Sequence, residues 1–101
     1  MDKKYILIVD DEPKVTFFLG KALEKLEGVY CISAESGQEA LEIIENTHVD
    51  LLVTDLKMPG MSGLELIRQV QYLSPETRTI LITAHGNRQV EEESFHLNTS
   101  N

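Results

Sequence analysis

The chain has 101 residues, with 17 acidic side chains against 9 basic ones and a formal net charge of −8. That length holds one domain with a single core. The scattered Lys and Arg exclude a nucleic-acid surface, which needs clustered basic groups. The single cysteine, Cys31, excludes an internal disulfide and a thiolate metal cluster, and such cysteine usage suits a reducing cytoplasm.

The charged start, Met1-Asp2-Lys3-Lys4, is followed by the apolar run Tyr5-Ile6-Leu7-Ile8-Val9. The run is too short for a signal peptide or a membrane span, so the protein is expected to remain in the cytoplasm, away from membranes. It reads instead as a parallel strand covered on both faces. Pro13 suits a first helical turn, and Asp11 and Glu12 suit the positive end of the dipole. Val15, Phe18, Leu19, Ala22, Leu23 and Leu26 recur at spacings of three and four, which predicts an amphipathic helix over about 14–27, ended by Gly28. Val29–Ser33 is a second strand, with Cys31 as a small core side chain.

Ser36 and Glu39 form a capping-box pattern, opening a helix over about 37–46 that buries Ala40, Leu41 and Ile44. The third strand is Leu51-Leu52-Val53-Thr54-Asp55, and Pro59 and Gly60 then turn the chain. Ser62 and Glu65 repeat the capping box before a helix to about residue 73, with Leu66, Ile67 and Val70 inward. Ser74-Pro75-Glu76 stops it. Thr79–Thr83 is a fourth strand, Ala84–Asn87 a loop, and 88–97 an acidic helix before a frayed end. Strands alternating with helices predict βαβ units and a parallel α/β sheet.

Two apolar strands therefore end in acids, one in Asp10-Asp11-Glu12 and the other in Asp55. Open α/β sheets bind ligands at that edge. A single Asp after a strand is commonly a turn residue or a cap, and Glu12 serves the helix dipole. Three carboxylates converging there, however, repel one another unless a cation neutralises them. Oxygen donors without Cys or His favour a hard ion such as Mg²⁺, which leaves positions open for phosphate oxygens. One carboxylate can then attack phosphorus and become an aspartyl phosphate. Thr83, at the end of the fourth strand, can reach a phosphoryl group on Asp55. His48 and His85 are read as solvent-facing or loop-packing residues, and none of the three histidines, His96 included, is required as a phosphoryl donor.

The segments Ile8-Val9-Asp10-Asp11-Glu12-Pro13, Asp50–Gly63 and Ile80-Leu81-Ile82-Thr83-Ala84 together resemble the receiver domain of bacterial two-component response regulators. The resemblance covers nearly the whole chain. It implies a flavodoxin-like (CheY-like) α/β fold with strand order 2-1-3-4-5. It also implies Asp55 as phosphoacceptor, Asp11 as direct Mg²⁺ ligand, Asp10 acting largely through water, the backbone carbonyl of Lys57 as a further ligand, and Thr83 as switch hydroxyl. The implied phosphoryl donor is a phosphohistidine on a sensor histidine kinase. The domain would be a signalling module rather than an enzyme, at most catalysing its own phosphorylation and dephosphorylation.

The family pattern continues with a fifth strand ending in Lys-Pro and a fifth helix. Here the last lysine is Lys57 and nothing after Leu97 is apolar. The reading is therefore a receiver over residues 1–101 with order 2-1-3-4, its fifth strand and fifth helix missing. An open edge at Thr79–Thr83 and an uncovered face of the first helix then predict a homo-oligomer. A pseudo-receiver that binds partners without phosphorylation is the second reading. A Mg²⁺-dependent phosphohydrolase ranks last, because no general acid accompanies the acids.

Overall fold

The computed structural model describes residues 3–82 and 97–98. The elements are β1 (Lys4–Val9), α1 (Pro13–Leu23), β2 (Val29–Ala34), α2 (Gly37–Asn46), β3 (Leu51–Asp55), α3 (Gly63–Leu73), β4 (Arg78–Ile82) and a two-residue β5 (Leu97–Asn98). The first four strands are parallel in the order β2-β1-β3-β4. Each helix returns the chain to the start of the next parallel strand, as right-twisted βαβ units require.

The apolar run of β1 alternates its side chains between two cores. Leu7 and Val9 pack with Leu52 beneath α2 and α3, against Ala40, Leu41, Ile44, Leu66, Ile67 and Val70. Ile6 and Ile8 pack with Val53 on the opposite face, joined by Leu19 and Leu23 of α1. A strand covered on both faces has no use for polar alternation, and β1 and β3 have almost none.

Both serine caps form, but only the one at Ser62 closes as a reciprocal box. Ser36 Oγ accepts from the Glu39 N–H at 3.1 Å, and Ser62 Oγ accepts from the Glu65 N–H at 3.2 Å. Glu65 Oε1 accepts from the Ser62 N–H at 3.0 Å, closing its box reciprocally, whereas Glu39 Oε1 reaches one residue further back to the Glu35 N–H at 2.8 Å.

Two expectations need correction. First, α1 ends at Leu23 rather than near residue 27. The N–H groups of Lys25 and Leu26 bond to carbonyls three residues back, at 3.4 and 3.0 Å, so the helix tightens into turns. Gly28 then takes φ 82°, the left-handed conformation that suits glycine. Leu26 is exposed as a result. The helix also buries a different face from the one its apolar spacing suggests. Thr16 and Gly20 face inward, Leu19 and Leu23 are half-buried, and Val15 and Phe18 are exposed. Gly20 lies against the Cys31 Cβ and Ile8 Cδ1 (3.7 and 3.8 Å from a Cβ built on it), so its lack of a side chain lets the helix sit close to the sheet.

Second, the edge of β4 is not fully open. Leu97–Asn98 pairs antiparallel with it, Asn98 opposite Thr79 and Leu97 opposite Ile80. This is not the parallel fifth strand of the family pattern. An edge strand offers a row of backbone donors and acceptors, and a short returning segment satisfies part of it. Leu97 thus lies in a strand rather than at the end of a helix, and the rest of the expected helix, 88–96, is outside the described residues.

Candidate functional site

The carboxyl ends of β1 and β3 are neighbours, because Val9 pairs with Thr54 in register. Asp10 follows Val9, and Asp55 is the last residue of β3, so the register alone brings them together. Ligand oxygens of Asp10, Asp11 and Asp55 all lie within 4.8 Å of one another. Asp10 and Asp55 are buried, at 8% and 9% exposure, while Asp11 faces solvent. The three acids singled out from the sequence form one cluster.

Backbone donors orient two of them. The Glu12 N–H donates to Asp10 Oδ1 at 2.8 Å, in the turn that leads into α1. The Leu56 N–H donates to Asp55 Oδ1 at 2.8 Å and also points to the Ile82 carbonyl at 3.1 Å. Burial pushes the Asp10 carboxyl above its ordinary value; the Glu12 N–H opposes that shift, and the nearby charges of Asp55 and Asp11 add to it.

The arrangement fits a small hard cation. Two oxygens bound directly to Mg²⁺ lie at most about 4.2 Å apart, twice the metal–oxygen distance. Carboxylate oxygens gathered within 4.8 Å of one another are close to that limit, so a small ion can draw them together directly or through water. All donors are oxygens, which matches Mg²⁺ and not a thiolate-seeking metal. Beneath the cluster, a cavity of about 50 Å³ is walled mainly by Ile8, Val9, Val15, Leu19, Val53 and Ile82. This apolar floor lowers the local dielectric and strengthens the acids' interaction with a bound ion.

Lys57 is exposed in the loop after β3, two residues from Asp55. Thr83 and His85 lie outside the described residues, as does His96. His48 is exposed and pairs through Nε2 with Asp50 Oδ1 at 2.9 Å, away from the acid cluster. The sequence reading missed the Leu56 N–H on Asp55, since a backbone donor leaves no mark in residue identity. It also missed how close Gly63 comes to Asp55.

Fold and cluster together define an open α/β domain with an acid site at the carboxyl edge of its sheet. The family model for the response regulator receiver domain matches residues 6–100, and the chain belongs to that family. It is 34% identical to sporulation initiation phosphotransferase F of Bacillus subtilis over 97 residues, which is 96% of this chain and 77% of that protein. It is 39% identical over 83 residues to the transcriptional regulatory protein GlrR of Escherichia coli, covering 82% of this chain but only 18% of that regulator's length. Among solved structures it resembles the response regulator TrrA of Thermotoga maritima in complex with Mg²⁺-BeF, with a TM-score of 0.76 and 38% identity over 82% of this chain and 71% of TrrA. TrrA in complex with the histidine kinase ThkA gives a TM-score of 0.75 and 37% identity, over 85% of this chain and 73% of TrrA.

Proposed function

We propose that this receiver domain takes a phosphoryl group from a sensor histidine kinase onto Asp55, with Mg²⁺ held by the acid cluster. The observation that carries the reading is the convergence of Asp10, Asp11 and Asp55 at one sheet edge. Asp11 and Asp55 are direct ligands, Asp10 acts largely through water, and the Lys57 carbonyl completes the protein's ligand set. Mg²⁺, when bound, neutralises the acids and the charge that develops on the phosphoryl oxygens. Asp55 attacks phosphorus, the bond from phosphorus to the donor imidazole breaks, and the imidazole leaves. The Leu56 N–H keeps the carboxylate in a fixed orientation for that attack. Thr83 is the proposed switch hydroxyl.

The TrrA structures with Mg²⁺-BeF and with ThkA support the cation and the kinase partner. The cluster favours this reading over a pseudo-receiver, because an interaction module has no use for three mutually repelling carboxylates. We place the domain in the cytoplasm as a signalling module rather than an enzyme; no helix among the described residues is long and apolar enough to cross a membrane. Self-association is proposed at the part of the β4 edge that Leu97–Asn98 leaves unpaired, together with the neighbouring α1 face. Support comes from the apolar groove of about 490 Å³ between α1 and Ile82, lined by Val15, Phe18, Leu19 and Ala22.

Intact mass after incubation with Mg²⁺ and acetyl phosphate tests the central claim. One phosphoryl group gained, and lost in Asp55→Asn, is the expected result. No gain in folded protein would place the pseudo-receiver reading ahead.

A further inference from the structure

Gly63 is the first residue of α3, and its backbone does not lie in the left-handed region that calls for glycine. Space demands glycine there instead. A Cβ built on Gly63 would fall onto the carbonyl oxygen of Asp55, 3.0 Å from that residue's carbonyl carbon and 2.9 Å from Leu81 Cδ1. The obstacle is chiefly backbone, which cannot swing aside as a side-chain end can. Hydrogen bonds hold the same contact. The Gly63 N–H donates to the Leu56 carbonyl at 2.9 Å, and the Leu56 N–H donates to Asp55 Oδ1 at 2.8 Å. The reciprocal Ser62–Glu65 capping box fixes the turn from which Gly63 projects.

We propose that Gly63 is a positioning residue for Asp55. Its missing side chain lets the start of α3 seat against the Asp55–Leu56 peptide, and that seating sets how far the Asp55 carboxylate reaches toward the cation and the incoming phosphorus. This inference rests on the reading of Asp55 as phosphoacceptor. Gly37 provides a contrast within the same molecule. A Cβ there would meet Met61 Sδ, Cβ and Cγ at 2.7, 3.0 and 3.1 Å, so that crowding falls on a side chain rather than on the backbone of a cluster acid.

The test compares the full chain with Gly63→Ala, Gly63→Ala/Leu81→Ala, Gly37→Ala and Asp55→Asn. Mg²⁺ affinity is read by calorimetry, phosphorylation by intact mass with acetyl phosphate, and folding by circular dichroism. Gly63→Ala is expected to lower the phosphorylation rate about 100-fold, as a misplacement of about 1 Å does. It is also expected to weaken Mg²⁺ binding about tenfold, as changes to groups that orient metal ligands do. Leu81→Ala should not restore either, because the obstructing oxygen is backbone; Gly37→Ala, which crowds Met61, is expected to lose some stability but to bind Mg²⁺ and take up phosphoryl as the unaltered protein does. Wild-type behaviour in Gly63→Ala, or rescue by Leu81→Ala, overturns the proposal.

Should Gly63→Ala not fold, NMR on the unaltered protein decides the question. The Gly63 and Leu56 amide resonances are expected to shift along one saturation curve as Mg²⁺ is added; a Gly63 amide that stays still while Leu56 moves overturns the proposal. An unaltered protein that takes up neither Mg²⁺ nor phosphoryl overturns the site reading and this proposal with it. One that takes up both, alongside an unimpaired Gly63→Ala, overturns the positioning role alone.

Discussion

Asp10 is the acid of the cluster that burial sets against its own charge. Its carboxyl is raised by burial first and by Asp55 and Asp11 after that, against the pull of the Glu12 N–H. A raised folded-state value means that folding favours the protonated acid. The penalty is absent below the ordinary carboxylate range and grows as pH rises through the raised value. The contribution of Asp10 should therefore destabilise the metal-free protein on going from pH 4 to pH 7, and the pH dependence of stability should differ in that sense between it and Asp10→Asn. Asp10→Asn is expected to raise the melting temperature of the metal-free protein at pH 7, by about 4–8 °C for each kcal/mol of repulsion relieved. Mg²⁺ at a hundredfold excess over its Kd should add about 2.7 kcal/mol to the unaltered protein at pH 7. The gain should shrink at pH 4, where protons compete for the same oxygens, and vanish in Asp55→Asn. Equal gains at both pH values in a thermal melt would contradict this account.

At the scale of elements, the bottom of the sheet is tied by Asp50. Its Oδ2 accepts from the Tyr5 N–H at 2.9 Å, its own N–H donates to the Tyr5 carbonyl at 2.9 Å, and its carbonyl accepts from the Arg78 N–H at 3.1 Å. Residues just before β3 thus pin both β1 and β4. Burial raises the Asp50 carboxyl, but the Tyr5 N–H and His48 together outweigh it, and the net shift is downward. A depressed acid contributes stability above its unfolded value and loses it as pH falls through the folded one. Asp50→Ala is expected to cost about 1–3 kcal/mol in urea denaturation at pH 7, since the Tyr5 N–H is left without its acceptor. The difference from the unaltered protein should narrow below pH 4. Thr77 is a second tie, fully buried, with its hydroxyl donating to the Val49 carbonyl at 2.7 Å. Thr77→Val should cost about 1–3 kcal/mol by leaving that carbonyl unpaired.

At the scale of the molecule, the described residues cover the two faces of the sheet unequally. The α2–α3 face has a broad buried core, whereas beside α1 the side chains of Ile80 and Ile82 are only half-buried and Phe18 is 68% exposed. A contiguous apolar surface of this kind favours association. Light scattering should show a dimer or larger species as concentration rises, and Phe18→Ser should shift the balance toward monomer. A monomer at high concentration in the unaltered protein would rule out the proposed self-association.

The parallel sheet and the acid cluster were legible because both follow from strand chemistry. Runs such as Ile6–Val9 and Leu52–Val53 are apolar at every position only when both faces are covered, and such sheets present their strand ends, here Asp10 and Asp55, at one edge. The serine caps at Ser36 and Ser62 were legible for a similar reason, since each partner lies within four residues of the other, although Glu39 closes on Glu35 rather than on Ser36. What α1 buries was not. Its apolar spacing fits several faces, and only the packing of Gly20 against Cys31 and Ile8 selects the inward one, leaving Val15 and Phe18 outside. The strand at Leu97–Asn98 depends on a returning chain meeting the free backbone of β4, a contact that local propensity does not encode. The meeting of Gly63 with the Asp55 carbonyl is likewise a fact of tertiary approach. Residue types by themselves determined which groups stand at the sheet edge; only the packed structure decided how closely the next helix presses on them, because that distance is set by neighbours remote from either residue's own preference.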